Sequence, residues 1–588
     1  MRAKTMKKRE YCLRPILTAL LVYCCGVAYS QPLYQERIYE PVVITGWDLW
    51  SLYNVPIPEI YLYSYHDNTQ SWTMMPFQID EKVLIRNPYA NPDSPDSLRH
   101  SYFEPDTNPN FDYDDELVFL VRDLGDKAPA RDWIDNEQAK THNRLEIAIS
   151  DPNDPDKMAY GYIFRSTTIT EPVPAPYEFQ YYPEQDSVVS KYYAVGMSHE
   201  NGLIEDIVIK PPFGNGVDIF DTQKLRFIGL FEFNFSVSLG RGGKDTANER
   251  DNLTIYNESD GDLYYKRYTE KPIIRLIREV RQNVKFGIVT FPELAFYVKT
   301  IFYPFSGTVE GGAKLDSLQQ EEGLADDIYV ELDLLRQSWD FNSAASGMKF
   351  YNRYNSGISI NGIPDVVDQT IDVPIHEWLL TTGAQGSFFT DIEFAQTQWD
   401  SRRLYFFDQK NGGQGDSTII QGGDTGDGVS YGDQGILFHK LSQHNSVSLE
   451  LGMTAYFLPG NLTRADGEKL AYQVENPAAF EVYTATGVAD DRVNLPLEFA
   501  LGQNYPNPFN PSTEILFGVP VKSQIKVAVY NLLGQQIAIL TDQVYPPGTY
   551  RVRWDGRDAQ GRELHSGVYF YRLTTAAGVL TRRMVLLR

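Results

Sequence analysis

From residue 31 onward the chain contains no cysteine; its three, Cys12, Cys24 and Cys25, stand within the first thirty residues. An exported chain without cysteine has no disulfide staples, so its stability must come from large cores, backbone hydrogen-bond ladders or bound ions. Long hydrophobic runs are missing as well. The apolar stretch "PILTALLVYCCGVA" is too short and too soon followed by polar sequence to be a membrane anchor, which needs about 20 apolar residues. Positive charge is scarce: 53 Lys and Arg face 78 Asp and Glu, a net charge of -25. That balance excludes nucleic acid and anionic membrane surfaces as natural partners, because both would be repelled. Catalytic signatures are equally sparse. There is no HExxH, no paired-cysteine spacing and no phosphate-cradling loop, and "GISING" (357–362) lacks the spacing of a G-x-S-x-G elbow. A triad assembled from separate strands leaves no linear signature and stays open.

What is present begins with a delivery signal. Arg2, Lys4, Lys7, Lys8, Arg9 and Arg14 form a basic head, the short apolar stretch follows, and Ala28-Tyr29-Ser30 closes it with a small-x-small cleavage pattern. Residues 1–30 are therefore expected to be a signal peptide. Tyr23 before Cys24 argues against a lipoprotein site, which needs a small residue there. Cleavage would remove six Lys or Arg and one Glu from the totals above, leaving a net charge of -30.

Beyond it, alternating patterns dominate. "IYLYSYH" (60–66) sets Ile60, Leu62 and Ser64 against Tyr61, Tyr63 and Tyr65, and "DIYVELDLL" (327–335) alternates in the same way, as half-buried strands do. Helical candidates are brief, such as "AKLDSLQQEE" (313–322), stopped by Gly323. The expectation is an all-β, multidomain chain of β-sandwiches. Punctuation divides it into an N-terminal β-domain, 31–165, a large β-sandwich region of one or two units, 185–487, and a last unit, 497–588, after the acidic linker "TGVADDRVN".

In that last unit "IKVAVYNLLGQQIAIL" alternates Ile525, Val527 and Val529, turns at Asn531–Gly534 and resumes with Ile537 and Ile539. Tyr550, Val552 and Trp554 repeat the design, which makes about seven strands, the size of an immunoglobulin-like sandwich. "LPLEFALGQNYPNPFNPSTEI", "WDGRDAQGRELHSGVYFYRL" and "TRRMVLLR" resemble, in family order, the type A C-terminal sorting domain of the Bacteroidetes-type type IX secretion system, whose fold is Ig-like. Arg583 and Arg588 stand where lysine is common in the family. The resemblance implies export to the periplasm, recognition by the outer-membrane translocon and delivery to the cell surface or medium. It assigns the sorting motif to Tyr505, Pro506, Asn507, Pro508, Phe509, Asn510, Pro511, Gly567, Tyr569, Arg583 and Arg588. The prolines remove backbone donors and fix φ, so the segment should enter the domain extended and unable to lengthen a neighbouring sheet edge. Tyr505 and Phe509 are free to pack on the sandwich.

For the cargo, oxygen-rich loops carry the strongest signal. Asp106, Asn108, Asn110, Asp112 and Asp114 alternate in "DTNPNFDYDDE", the chemistry a hard cation such as Ca²⁺ prefers, and a second Asp/Gly loop spans 411–435. Solvated turns are the favoured reading of both, and calcium the alternative. "MMPFQIDE" and "DDELVFLVRDLG" resemble the leading β-domain of uncharacterised exported proteins and of large-sandwich polysaccharide lyases. There Gln78, Asp80, Asp115 and Glu116 either bind a sugar or ion or cap strand ends, the structural role being favoured. Among the eight histidines, His376 beside Glu377 and Trp378 is the catalytic candidate, a satisfied structural histidine being the favoured reading. The reading is a secreted or surface protein whose cargo binds extracellular glycan or is structural; the alternative is a lyase-like polysaccharide-degrading enzyme. No cofactor is required, and calcium is the one ion considered.

Overall fold

The computed structural model describes residues 32–86, 98–104, 108–199, 202–237, 241–246, 251–255, 263–286, 289–314, 327–372, 376–394, 401–411, 429–444, 448–485, 499–502, 504, 507, 509–531, 534–575 and 578–586. The expected signal peptide, Asp106, most of the 411–435 loop, Tyr505, Pro506, Pro508 and Arg588 lie outside them.

The described chain is all-β, with antiparallel pairing throughout its sheets. Strands Ile60–His66, Ser71–Met74, Arg144–Asp151 and Asp154–Arg165 build one N-terminal sheet, and Pro41–Thr45, Glu116–Leu120 and Gln78–Asp80 build another. The alternation of "IYLYSYH" is real, but both faces are covered. Ile60 and Leu62 enter the main N-terminal core, while Tyr63 and Tyr65 pack with Ala128, Ile134, Tyr162 and Phe164 on the other side. The strand Glu116–Leu120 is buried along its whole length for a related reason: Leu117 and Phe119 face the N-terminal core, Val118 and Leu120 the core of the next region.

That next region is a pair of large sheets. One runs in the order Arg241–Thr246, Phe220–Val237, Asp327–Phe341, Ser430–His444, Ser401–Gln409, and the other contains nine strands with Leu276–Phe286, Val289–Phe302, Ser448–Leu458, Gly386–Phe394 and His376–Gly383 among them. Leu335, Trp339, Phe341, Ile436 and Phe438 from the first sheet and Ile301, Leu379, Phe388, Met453 and Phe457 from the second share one continuous apolar cluster. Ala313 and Lys314 of the helical candidate end the strand Ser306–Lys314, and the rest of that candidate lies outside the described residues. A true helix lies elsewhere, at Arg464–Glu475, opened by a capping box between Thr463 and Asp466. It packs Leu470 and Ala471 against Trp378 and Leu380. Immediately after it the strand Ala479–Ala485, which sequence order assigns to the 185–487 region, returns to pair with Arg144–Asp151 in the N-terminal sheet.

The last unit has a three-stranded and a four-stranded sheet closing over Ile515, Phe517, Val527, Val529, Trp554, Tyr571 and Leu573. Its pattern departs from the sequence reading at one place. Two register shifts, between Val527 and Ala528 and between Val529 and Tyr530, bracket Ala538 and Ile539, turning Ala538 inward and leaving Ile539 48% exposed.

Candidate functional site

Alternation along the strands of the smaller large sheet sends apolar residues into the core and a different set to the opposite face. On Asp327–Phe341 the residues Arg336, Ser338 and Asp340 take that face, between core residues Leu335, Trp339 and Phe341. Register sets Ser338 beside Lys224 on one side and Gly435 on the other, with Tyr405 next across; Arg336, Leu437 and Arg403 form the adjoining row. Asp433 pairs with Phe407 one row further on. The opposite face of the sheet thus carries a row of arginines, then Tyr405, Ser338 and Lys224, then two carboxylates.

Its charges are deeply buried. Lys224, Arg336, Ser338, Asp340, Tyr405 and Asp433 are all at most 1% exposed. Lys224 Nζ lies 2.6 Å from Asp340 Oδ2 and 3.6 Å from Asp433 Oδ2. Ser430 donates its hydroxyl to Asp340 Oδ1 at 2.8 Å and accepts from the Asp433 amide at 3.0 Å. One ammonium serves two carboxylates, so burial pushes the Asp340 carboxyl far above its ordinary range, and Lys224 only partly offsets this. The Arg336 guanidinium sits 4.4 Å from the Tyr405 ring centre. Arg403 and His439 at the end of the patch are only partly buried. The Ser338 hydroxyl and Arg403 Nε are buried donors without a hydrogen-bond partner among the described residues. Sequence reasoning missed this patch because its members come from four separate strands.

The residues singled out in the sequence fall elsewhere. Asn108, Asn110, Asp112 and Asp114 share one turn, but their oxygens are used locally: Asn108 donates to Asp112 Oδ2 at 3.0 Å, and the amides of Asn110 and Asp114 bond Asn108 Oδ1 and Asp112 Oδ1 at 3.3 Å. Burial first, and Asp112 second, push the Asp114 carboxyl up to about 8. Asp115 accepts from the amides of Asp112 and Lys82. Among the described residues no three His, Cys, Asp or Glu converge as a metal-holding group. Gln78, Asp80 and Glu116 instead surround Arg275, at the entry to the strand Leu276–Phe286, and join the N-terminal domain to the large sandwich. His376 donates or accepts through Nδ1 to Asp391 Oδ1 at 2.8 Å. Glu377 is fully buried beside it, its carboxyl raised by burial to about 8.

In the C-terminal unit Phe509 is core, 5.5 Å from the Trp554 ring, and Tyr569 packs on Trp554 at 5.4 Å. The entry segment does join the sheet, contrary to expectation, by a single parallel bridge from Phe509 to Leu586. The two residues around that bridge explain it: the Phe509 amide donates to Val585 O, and Asn507 Oδ1 receives the Val585 amide. Pro511 follows a cis bond after Asn510. Gly567 opens the strand Gly567–Thr575, and Arg583 lies in Gly578–Leu586 opposite Phe570. The sequence reading overlooked Asn504, which holds Tyr571 and Thr513, and Arg582.

These seven strands and their motifs define a sorting unit. Residues 503–587 match the family described as "Secretion system C-terminal sorting domain". The chain carries a type IX secretion sorting domain, and its destination is the cell surface or the medium. No curated protein matches the chain. Among solved structures it is similar to a polysaccharide lyase at 7% identity and a TM-score of 0.25, covering 68% of this chain and 47% of the lyase. It is also similar to dimeric latent PorU from Porphyromonas gingivalis at 10% identity and a TM-score of 0.14, covering 74% of this chain and 36% of PorU. Neither likeness is close enough to fix a fold or an activity. No helix among the described residues is long and apolar enough to cross a membrane.

Proposed function

We propose that the cargo is a glycan-directed surface protein and that the Arg403–Tyr405–Arg336 patch is where an acidic saccharide is bound. The observation that carries this is the placement of arginines and orphaned donors on one sheet face of a strongly acidic protein. Guanidinium groups pair with sugar carboxylates in a planar, bidentate way, and an aromatic ring offers a stacking face. Arg403 and His439, only partly buried, form the end of the patch that a saccharide would reach first. Arg403→Ala is expected to weaken binding of a uronate oligosaccharide by about 1.5–3 kcal/mol, without change in binding of a neutral one or in melting temperature. Calorimetric titration measures it; equal affinity in the variant, or no binding by the intact protein, removes the reading.

A lyase reading rests on the same patch, because Tyr405 lies one row from Arg403 and Arg336, with the Arg336 guanidinium against its ring. In that chemistry the phenolate takes the C5 proton of a uronate, the C4–O bond breaks, the departing oxygen gains a proton and a C4–C5 double bond forms. Arginine would neutralise the carboxylate as charge develops. Tyr405→Phe is then expected to lower turnover by about 10²–10⁴-fold with binding retained, followed by the ultraviolet absorbance of the unsaturated product. Absence of that product from acidic polysaccharides would leave binding alone.

We also propose calcium at the Asn108–Asp114 turn. Without a cation the turn holds a proton: the folded pKa of Asp114, about 8, stands above its unfolded value, so its contribution is full in acid and lost as pH rises through about 8. Calcium binding to the native state alone would reverse that loss by about 2.7 kcal/mol at a hundredfold excess over its dissociation constant. Melting at pH 8.5, about half a unit above that pKa, is expected to rise with calcium over chelator in the native chain and not in Asp112→Asn. Superimposed curves would dismiss the ion.

A further inference from the structure

The sorting domain meets the rest of the chain at a chemically specific place. Arg582, in its last strand, donates Nε to Leu501 O at 2.6 Å. Its guanidinium carbon lies 5.2 Å from the ring centre of Tyr53 and 5.4 Å from that of Tyr113. Those two rings stack at 4.4 Å with planes 17° apart, and Trp47 meets Tyr113 edge-on at 5.7 Å. Gly502 brings the sorting domain's backbone against the same wall, since a Cβ there would stand 3.6 Å from the Trp47 ring.

All three aromatics belong to the N-terminal β-domain. Trp47 follows the strand Pro41–Thr45, Tyr53 follows the 3-10 turn Trp50–Leu52, and Tyr113 sits between Asp112 and Asp114. Their convergence depends on one close approach. The Gly46 amide donates to Asp115 O at 2.7 Å, and a Cβ at Gly46 would stand 1.7 Å from Asp112 O, so only glycine lets the turn after the first strand lie on the acidic loop. The result is an aromatic box, the setting that attracts a guanidinium through the ring quadrupole.

We propose that the sorting domain is latched onto the N-terminal β-domain by Arg582 held against the Tyr53–Tyr113 stack, with the acidic loop Asn108–Glu116 as its docking platform. The latch is independent of any glycan or calcium reading. It gives the loop a role that its alternating oxygens did not suggest: carrying Tyr113 to the interface. It also separates the two arginines of "TRRMVLLR", because strand alternation sends neighbouring side chains to opposite faces. Arg582 is the docking residue and Arg583 its control.

The test uses the full chain from residue 31 with a protease recognition sequence replacing "TGVADDRVN" (486–494). After cleavage, the two folded halves of the native sequence are expected to co-elute in size exclusion at micromolar concentration, and Arg583→Ala to behave alike. Arg582→Ala and, from the opposite side, Tyr53→Ala are each expected to weaken association about tenfold, with Arg582→Lys in between. Thermal melting of each cleaved half shows that both variants remain folded. Separation of the native halves, or undiminished association in Arg582→Ala and Tyr53→Ala, overturns the latch.

Discussion

Arg275→Ala is expected to cost about 3–5 kcal/mol of stability, because it leaves buried Asp80 without its cation and buried Glu116 with Lys82 alone. Arg275 binds Asp80 Oδ2 through Nε at 2.8 Å and Glu116 Oε2 at 2.6 Å. Around it Gln78 accepts from the amides of Ile273, Ile274 and Arg275 and donates to Arg275 O, so both edges of the amide are used. Lys82 meets Glu116 Oε1 at 2.6 Å, and Tyr102 donates to Glu116 Oε2. Burial pushes the Glu116 carboxyl up, but Arg275 and Lys82 outweigh it and hold the group below its ordinary range; for Asp80 burial wins and the carboxyl is raised. The sign of the pH dependence follows. Glu116 is depressed in the folded state, so its share is present above its unfolded pKa and lost as pH falls. Urea unfolding should therefore show the largest gap between native and variant chains near pH 7, shrinking in acid as both carboxylates protonate. Replacing Arg275, Asp80, Glu116 and Lys82 together by Met, Leu, Leu and Met should recover most of the loss, since an apolar cluster leaves no orphaned charge. A neutral effect of Arg275→Ala at pH 7 would mean that the two domains are not joined through this residue.

That clamp also shows what the sequence could and could not convey. "MMPFQIDE" and "DDELVFLV" stand out because polar residues interrupt apolar strands, and Gln78, Asp80 and Glu116 do have a job that depends on burial. Their partner Arg275 lies far along the chain, and no local pattern names it. The polar sheet face is illegible for the same reason: Lys224, Arg336, Tyr405 and Asp433 meet only through the registers of Phe220–Val237, Asp327–Phe341, Ser401–Gln409 and Ser430–His444. Strand pairing is non-local, and alternation reveals which side chains share a face without revealing which strands lie side by side. The return of Ala479–Ala485 to the N-terminal sheet is another instance. The helix Arg464–Glu475 was missed in the sequence although its start signal, Thr463-x-x-Asp466, is local. The inward turn of Ala538 had none, because a bulge shifts the face without altering the alternating pattern on either side. Sorting motifs were legible because they are local: a buried Phe509, the Trp554 and Tyr569 pair, and the strand that ends the chain form one compact cluster.

Deleting residues 497–588 is expected to abolish delivery across the outer membrane while leaving the earlier export step intact, so that the truncated chain accumulates in the periplasm. The sorting unit has a core of its own, with Ile515, Phe517, Ile525, Val527, Trp554, Tyr571 and Met584 inside it, and none of these residues belongs to the two large upstream cores. Among the described residues, upstream folding loses the contacts of Arg582 with Tyr53 and Tyr113 and of Gly502 with Trp47. A point variant separates loss of the folded signal from loss of the segment. Trp554 is 2% exposed between Phe509 and Tyr569, and Trp554→Ala should cost about 3–5 kcal/mol, comparable with the whole stability of a small domain. Sorting should then fail although every exposed residue of the domain is retained. In the converse experiment residues 497–588 behind a signal peptide and a neutral reporter are expected to carry the reporter to the surface or medium of a host that possesses the system. Fractionation followed by immunoblotting reads all three. If the truncated chain reached the medium as efficiently as the intact one, residues 497–588 would not be the delivery signal. If Trp554→Ala were sorted normally, recognition would rest on the linear motifs at 504–511 and 583–588 and not on the folded sandwich.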